Sequence, residues 1–252
     1  MTATKLHQIV RDRLFWAVLL LALLTWGMPH LQPVFAALFP ALDRPIYTQD
    51  SFVALVLAHL NIVFWSSLAS VVVGVLAGVA VTRPAGREFK PMVETVVAMG
   101  QTFPPVAVLA IAAPLIGFGT EPALIALALY GLLPVVRATI AGLESVPDAV
   151  REIAQGLGMG PLDTLLQVEL PLALGVILTG IRTSVIVNLG TAAIASTVGA
   201  KTLGSPIIVG LSGFNTAYVL QGAILVGGLA IVTDLAFARL THHLNRWRSA
   251  NP

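Results

Sequence analysis

Glu152-Ile153-Ala154-Gln155-Gly156-Leu157-Gly158, nine further residues, then Val168-Glu169-Leu170-Pro171: this stretch decides the fold. It lies between long apolar runs, yet it is too polar to cross a bilayer. A helix-competent polar segment in that position is where a membrane protein can engage a soluble partner. Ser145-Val146-Pro147-Asp148 reads as a helix start, with Ser145 as cap, Pro147 in the first turn and Asp148 at the positive end of the dipole. Val150, Ile153, Ala154 and Leu157 then recur at i, i+3, i+4, i+7, which predicts one apolar face. Asp148, Arg151, Glu152 and Gln155 take the other face. Gly156, Gly158 and Gly160 stop the helix, and Pro161 opens a second short one through Leu162, Leu165, Leu166 and Glu169 to Pro171. The expected shape is an elbow, with Gly158 at its corner supplying positive φ and room for close approach.

Composition agrees with a membrane setting. Hydrophobic residues make up 57% of the chain and charged residues only 10%, against about 25% in soluble domains. Net charge is +2, which offers no basic surface for nucleic acid. Without cysteine, disulfides, thiolate metal sites and cysteine nucleophiles are excluded. His7, His30, His59, His242 and His243 form no metal-ligand pattern, so no metal and no cofactor are expected.

A helix needs about 20 apolar residues to cross the hydrocarbon. Six spans are predicted: Leu14–Met28, extended through the proline-kinked Leu31–Phe39; Phe52–Val81; Met92–Gly117; Pro122–Thr139; Pro171–Val198; and Ala217–Phe237. With the N-terminus inside, only Arg44 and Lys201 of the 14 basic residues fall in external loops, and Arg182 lies within the fifth span. That bias places both termini and the elbow in the cytoplasm. A cleavable signal peptide competes for Leu14–Trp26, but two prolines and about ten residues separate that run from the small residues near Ala36.

Several polar residues stand out against this background. Gln101-Thr102-Phe103-Pro104-Pro105 falls in mid-span, where two prolines break the helix. Non-helical backbone at membrane depth lines a cavity or is buried in protein. Gln101, Thr102, Pro104 and Pro105, then Asn188 and Thr191, are therefore the candidates for a translocation path, with a packing kink as the alternative. Arg182 reads as a structural anchor rather than a substrate contact, and Glu94 and Asp234 as interfacial. Gly74 and Gly78, with Ala192, Ala195 and Ser196, suit close helix packing. Gly199–Thr216 is a glycine-rich external connection whose apolar piece, Ile207–Leu211, tucks back toward the membrane. No GxxxxGK[ST] loop is present, so ATP hydrolysis is not expected of this chain.

The elbow resembles the EAA loop of permease subunits of ABC (ATP-binding cassette) importers, E-A-A-x3-G-x9-I-x-L-P. Glu152, Ala154, Gly158, Leu170 and Pro171 match outright; Val168 replaces the isoleucine conservatively, and Ile153 replaces the first alanine. Gly117-Phe118-Gly119-Thr120, Tyr130-Gly131-Leu132-Leu133-Pro134, Gly180-Ile181-Arg182-Thr183 and Gly190-Thr191-Ala192 are similar to the osmoprotectant branch of that family. The resemblance implies an all-α type I permease in a bacterial cytoplasmic membrane. It also implies a separate ATPase docked on the elbow, a second permease subunit, an external binding protein, and a glycine betaine or choline class of solute.

On this reading 1–51 hold the first span and its flanks, 52–238 the permease domain and 239–252 a basic cytoplasmic tail. A permease for methionine or another amino acid is a same-class alternative. An ion-coupled secondary transporter usually keeps acids in mid-span, and the mid-span regions here hold none. A non-transporting scaffold fits poorly with the broken third span.

Overall fold

The computed structural model describes residues 12–244, and among these all regular structure is helical. Helix α1 (Arg13–Gly27) starts at Asp12, whose carboxylate accepts the Leu14 amide at 3.0 Å. A 3₁₀ turn, Met28–Leu31, carries the chain through Pro29 into α2 (Gln32–Leu38), so the kinked extension expected from sequence is helical. Ser51 caps α3 (Phe52–Thr82) by accepting the Ala54 amide at 3.2 Å. At 31 residues this helix is about 46 Å long, more than the hydrocarbon requires.

The predicted third span is broken where its two prolines fall. Helix α4 (Lys90–Thr102) and α5 (Pro105–Ile116) meet at 89° across Phe103-Pro104. Pro104 cannot donate a backbone hydrogen bond, and Phe103 before it is extended (φ −73°, ψ 131°), the conformation a following proline favours. Among the described residues the membrane set is thus five long apolar helices plus one bent pair. Helix α6 (Thr120–Glu144) follows, then the elbow helices α7 (Asp148–Gly156) and α8 (Pro161–Thr164). A π-helical turn, Leu165–Glu169, leads into α9 (Leu170–Thr191), which tightens into a 3₁₀ segment, Ala192–Val198. Helix α10 (Gly204–Ser212) is too short to cross and turns back alongside α11 (Thr216–Leu244), against Val219 and Gly222.

Helix α6 is the most enclosed, with half of its apolar window buried, against 11% for the N-terminal helix. Helices α3 and α9 flank it. Interhelical bonds between polar side chains and backbone reinforce this packing where no hydrophobic force acts. Ser70 Oγ on α3 donates to the Ala128 carbonyl of α6 at 2.7 Å. Asn188 Nδ2 on α9 donates to Ser67 Oγ at 3.1 Å, and His59 Nε2 lies 3.0 Å from the Leu189 carbonyl. Arg182 pairs with Asp234 of α11, its Nε 2.7 Å from Oδ1. The anchor role expected for Arg182 therefore has a named partner.

Apart from Arg182–Asp234, the charged contacts sort to two ends of the bundle. One end holds Arg83–Glu169, Lys90–Glu144, Arg151–Asp148 and Arg239–Asp12. The other holds Lys201–Asp50 at 2.8 Å and a strap, residues 44–47, bound to α11. Gln221 accepts the Tyr47 amide at 3.1 Å and donates to the Pro45 carbonyl at 2.6 Å. Burial, then the neighbouring Asp50 carboxylate, push the Tyr47 phenol up to about 12. Tyr47 therefore stays protonated and donates to Asp50 Oδ2.

Candidate functional site

The elbow forms at the end that carries Arg83 and Lys90. Its first helix starts differently from the sequence expectation. Pro147 holds the N-cap position, and Ser145 Oγ instead donates to the Gly142 carbonyl at 2.7 Å, closing the end of α6. A hydroxyl just past a helix end has free carbonyls within reach, and here they win over the amides ahead. The corner is a Schellman motif: Met159 N–H donates to the Ala154 carbonyl, and Gly158 N–H to the Gln155 carbonyl. Gly158 sits at φ +80° within it. Gly160 then caps α8, with Pro161 at its first position. The second short helix does not end as a separate unit; its π turn runs straight into α9.

The apolar stripe of the elbow is only partly used. Ala154 is buried and Val150 half-buried. Ile153 is 64% exposed, Leu157 77% and Leu162 65%. These three flank the glycine corner on a segment too polar to lie in lipid. Glu152 and Gln155 are exposed beside it. Of the other motif residues, Val168 and Leu170 are half-buried, and Pro171 is exposed at the start of α9.

Behind the patch lies a charged junction. Glu169 is buried, and both its oxygens are engaged. Oε2 accepts Arg83 Nη1 at 2.6 Å, and Oε1 accepts Arg151 Nε at 2.7 Å. Arg151 also donates to the Leu143 carbonyl and to Asp148, each at 2.6 Å. The hydrogen bond that Arg151 donates to Glu169 is the leading cause that raises its guanidinium above its ordinary value. These residues line a cavity of about 660 Å³ that also includes Arg87 and Glu144. An exposed pair such as Lys90–Glu144 contributes about 0.2–1 kcal/mol. Stripping a buried carboxylate of its partner costs up to about 3–5 kcal/mol, and the partly open arginines place this junction toward the lower figure. Sequence reading missed Glu169 and Arg83 as a pair because 86 residues separate them.

The broken span has its own polar closure. Gln101 Nε2 donates to the Tyr130 carbonyl at 2.7 Å. The Tyr130 hydroxyl donates to the Phe103 carbonyl at 2.7 Å and lies 3.3 Å from that of Gln101. One tyrosine on α6 thus meets the carbonyls that the break frees. Thr102 Oγ1 donates back to the Met99 carbonyl at 2.7 Å. Thr102 and Pro104 are exposed. Pro105 and Thr191 come together across a gap of about 10 Å³ lined by Leu109, Ala126 and Ala195. Asn188 stands apart from both, enclosed against Ser67 in the interior of the chain. The six path candidates therefore occupy three separate places: the Tyr130 closure, the Pro105–Thr191 gap and the α3–α9 contact.

Residues 70–246 match the family described as the binding-protein-dependent transport system inner membrane component. The chain belongs to this family. It is similar to the osmoprotectant import permease protein OsmY of Salmonella typhimurium, with 38% identity over 90% of this chain and 92% of that one. It is also similar to the choline transport system permease protein OpuBB of Bacillus subtilis, at 39% over 71% of this chain and 82% of that one. Among solved structures, a chain of the MetNI methionine ABC transporter, in an inward-facing conformation, matches with a TM-score of 0.68 at 23% identity. That match covers 76% of this chain and 95% of the other, and at such identity it establishes the fold. The permease is accordingly a membrane component of an ABC transport system, and ATP hydrolysis belongs to a separate subunit.

Proposed function

We propose that this permease forms the membrane path of an ATP-driven importer for quaternary-ammonium osmoprotectants of the glycine betaine and choline class. The names of its relatives, an osmoprotectant and a choline permease, support the solute class. The elbow carries the mechanism: Ile153, Leu157 and Leu162 stand open around a glycine corner outside the apolar spans. A separate ATPase docks there from the cytoplasm. A second permease subunit completes the pore, and an external binding protein delivers solute. Aromatic residues, which hold quaternary ammonium groups through cation–π contacts, are only 7% of the chain. High-affinity recognition is therefore assigned to the binding protein. The deciding experiment reconstitutes the permease with its ATPase and binding protein in proteoliposomes and follows radiolabelled glycine betaine. ATP-dependent accumulation is the expected result; none for betaine, choline or carnitine would overturn the solute class.

Sidedness follows from the basic residues gathered at the elbow end. The absence of native cysteine makes it directly measurable. Gln155→Cys should react with an impermeant thiol reagent only after cells are permeabilised, and Arg44→Cys in intact cells. Labelling of Gln155→Cys from outside would reverse the topology and remove the ATPase from the elbow.

A further inference from the structure

We propose that Glu169 is the positioning residue that makes the elbow move α3 and α9 as one body. This rests on the reading of the elbow as the ATPase-docking element. Chain continuity ties the elbow only to α6, through Ser145–Pro147, and to α9, through α8 and the π turn. Neither link is stiff. The corner is glycine-rich, and the π turn closes on a wider ring, with Leu170 N–H donating to the Leu165 carbonyl. Helix α3 has no covalent link to the elbow at all. A push at the tip would be absorbed by these joints unless something braced them.

Glu169 is that brace. It occupies the last position of the π turn and points inward, its side chain 4% exposed. One carboxylate oxygen holds Arg83, just past the end of α3; the other holds Arg151, in the middle of the elbow helix. Arg151 in turn grips the Leu143 carbonyl near the end of α6. Four segments thus converge on one buried carboxylate, with charge-assisted bonds of 2.6–2.7 Å. Breaking the Arg83 bond leaves that guanidinium without its counter-ion, so the junction resists opening more than the exposed pairs around it. Displacement of Arg151 by a docked ATPase is passed to Glu169, and so to the start of α9, and through Arg83 to α3.

The test uses the whole transport complex in proteoliposomes and reads glycine betaine taken up per ATP hydrolysed. Glu169→Gln keeps the shape and removes the charge. The double variant Arg83→Met, Glu169→Met replaces the pair by apolar side chains of similar reach, which guards against misfolding around an unpaired charge; Arg151 keeps Asp148 and the Leu143 carbonyl. Glu169→Asp keeps the charge. In the first two, the ATPase should co-purify in wild-type amount and ATP hydrolysis should continue, with uptake per ATP down at least tenfold; the aspartate variant should recover part of the ratio. An unchanged ratio in the double variant with the ATPase bound would overturn the relay. So would loss of the ATPase, which would reduce the junction to a fold element of the elbow. Failure of the docking reading itself would show elsewhere, as wild-type ATPase retention when the glycine corner is blocked.

Discussion

Gly158→Val is expected to abolish uptake and release the ATPase while the permease still inserts in the membrane. Gly158 sits at φ +80°, where an L side chain costs about 1–2 kcal/mol and a β-branched one more. A Cβ there meets nothing within 4 Å of this chain, so the fold itself has room for it. The damage falls on the corner's backbone and on whatever approaches it. Val would drive the residue out of the left-handed region and break the bonds from Gly158 and Met159 back to α7. Ile153, Leu157 and Leu162 would then lose their common arrangement. The spans, held by contacts far from the corner, would not. Gly158→Asn tolerates the left-handed conformation yet keeps the added bulk, and should fall between. Glu152→Lys reverses an exposed charge beside the patch and should weaken the same contact less. Co-purification with the ATPase and uptake in cells read all three. Wild-type uptake by the valine protein, with the ATPase bound, would end the assignment of this loop as the coupling element.

How much of this was legible depended on range. Local rules worked where the partner is a neighbour: Gly158 at the corner, Pro161 opening α8, and the Pro104-Pro105 break all sit where their chemistry puts them. Even the angle of the break has a local cause, but its stabiliser, Tyr130, comes from α6 and is invisible to spacing. Ser145 misled because a hydroxyl between two helices can serve either; tertiary geometry chose the end of α6. Asn188 donates to Ser67, 121 positions away, while its buried Oδ1 has no partner among the described residues, and spacing shows neither. Glu169 shows the limit most clearly. Within Val168-Glu169-Leu170-Pro171 no spacing points it at Arg83 or Arg151. Only the π turn swings it inward to two arginines, and nothing in the run of residues forecasts that extra turn residue.

The packing of α3 on α6 supports everything at the elbow end, and Gly78→Leu is expected to disrupt it. A Cβ at Gly78 would lie 2.6 Å from Thr139 Cβ and 2.7 Å from its Cγ2, with the Val136 carbonyl at 3.3 Å. One turn earlier, a Cβ at Gly74 would lie 2.8 Å from Val135 Cγ1. Both distances are below contact, and the atoms opposite belong to β-branched side chains with little rotamer freedom. Relief therefore requires the helices to separate. Overpacking a close-fitted interior costs about 1–3 kcal/mol, and leucine adds three carbons beyond the first clash. The shift would also carry Arg83, five residues on, away from Glu169. Gly78→Leu should lower the thermal unfolding midpoint of the detergent-solubilised permease by several degrees and reduce its yield, whether or not the ATPase is present. Gly78→Ala should do the same more mildly. Gly227→Ala on α11 is the control: that glycine is exposed, its Cβ would meet nothing within 4 Å, and its midpoint should not fall. An unchanged midpoint for Gly78→Leu beside an unchanged Gly227→Ala would mean that α3 and α6 do not approach this closely. The clamp at Glu169 would then lack the rigid footing on which its leverage depends.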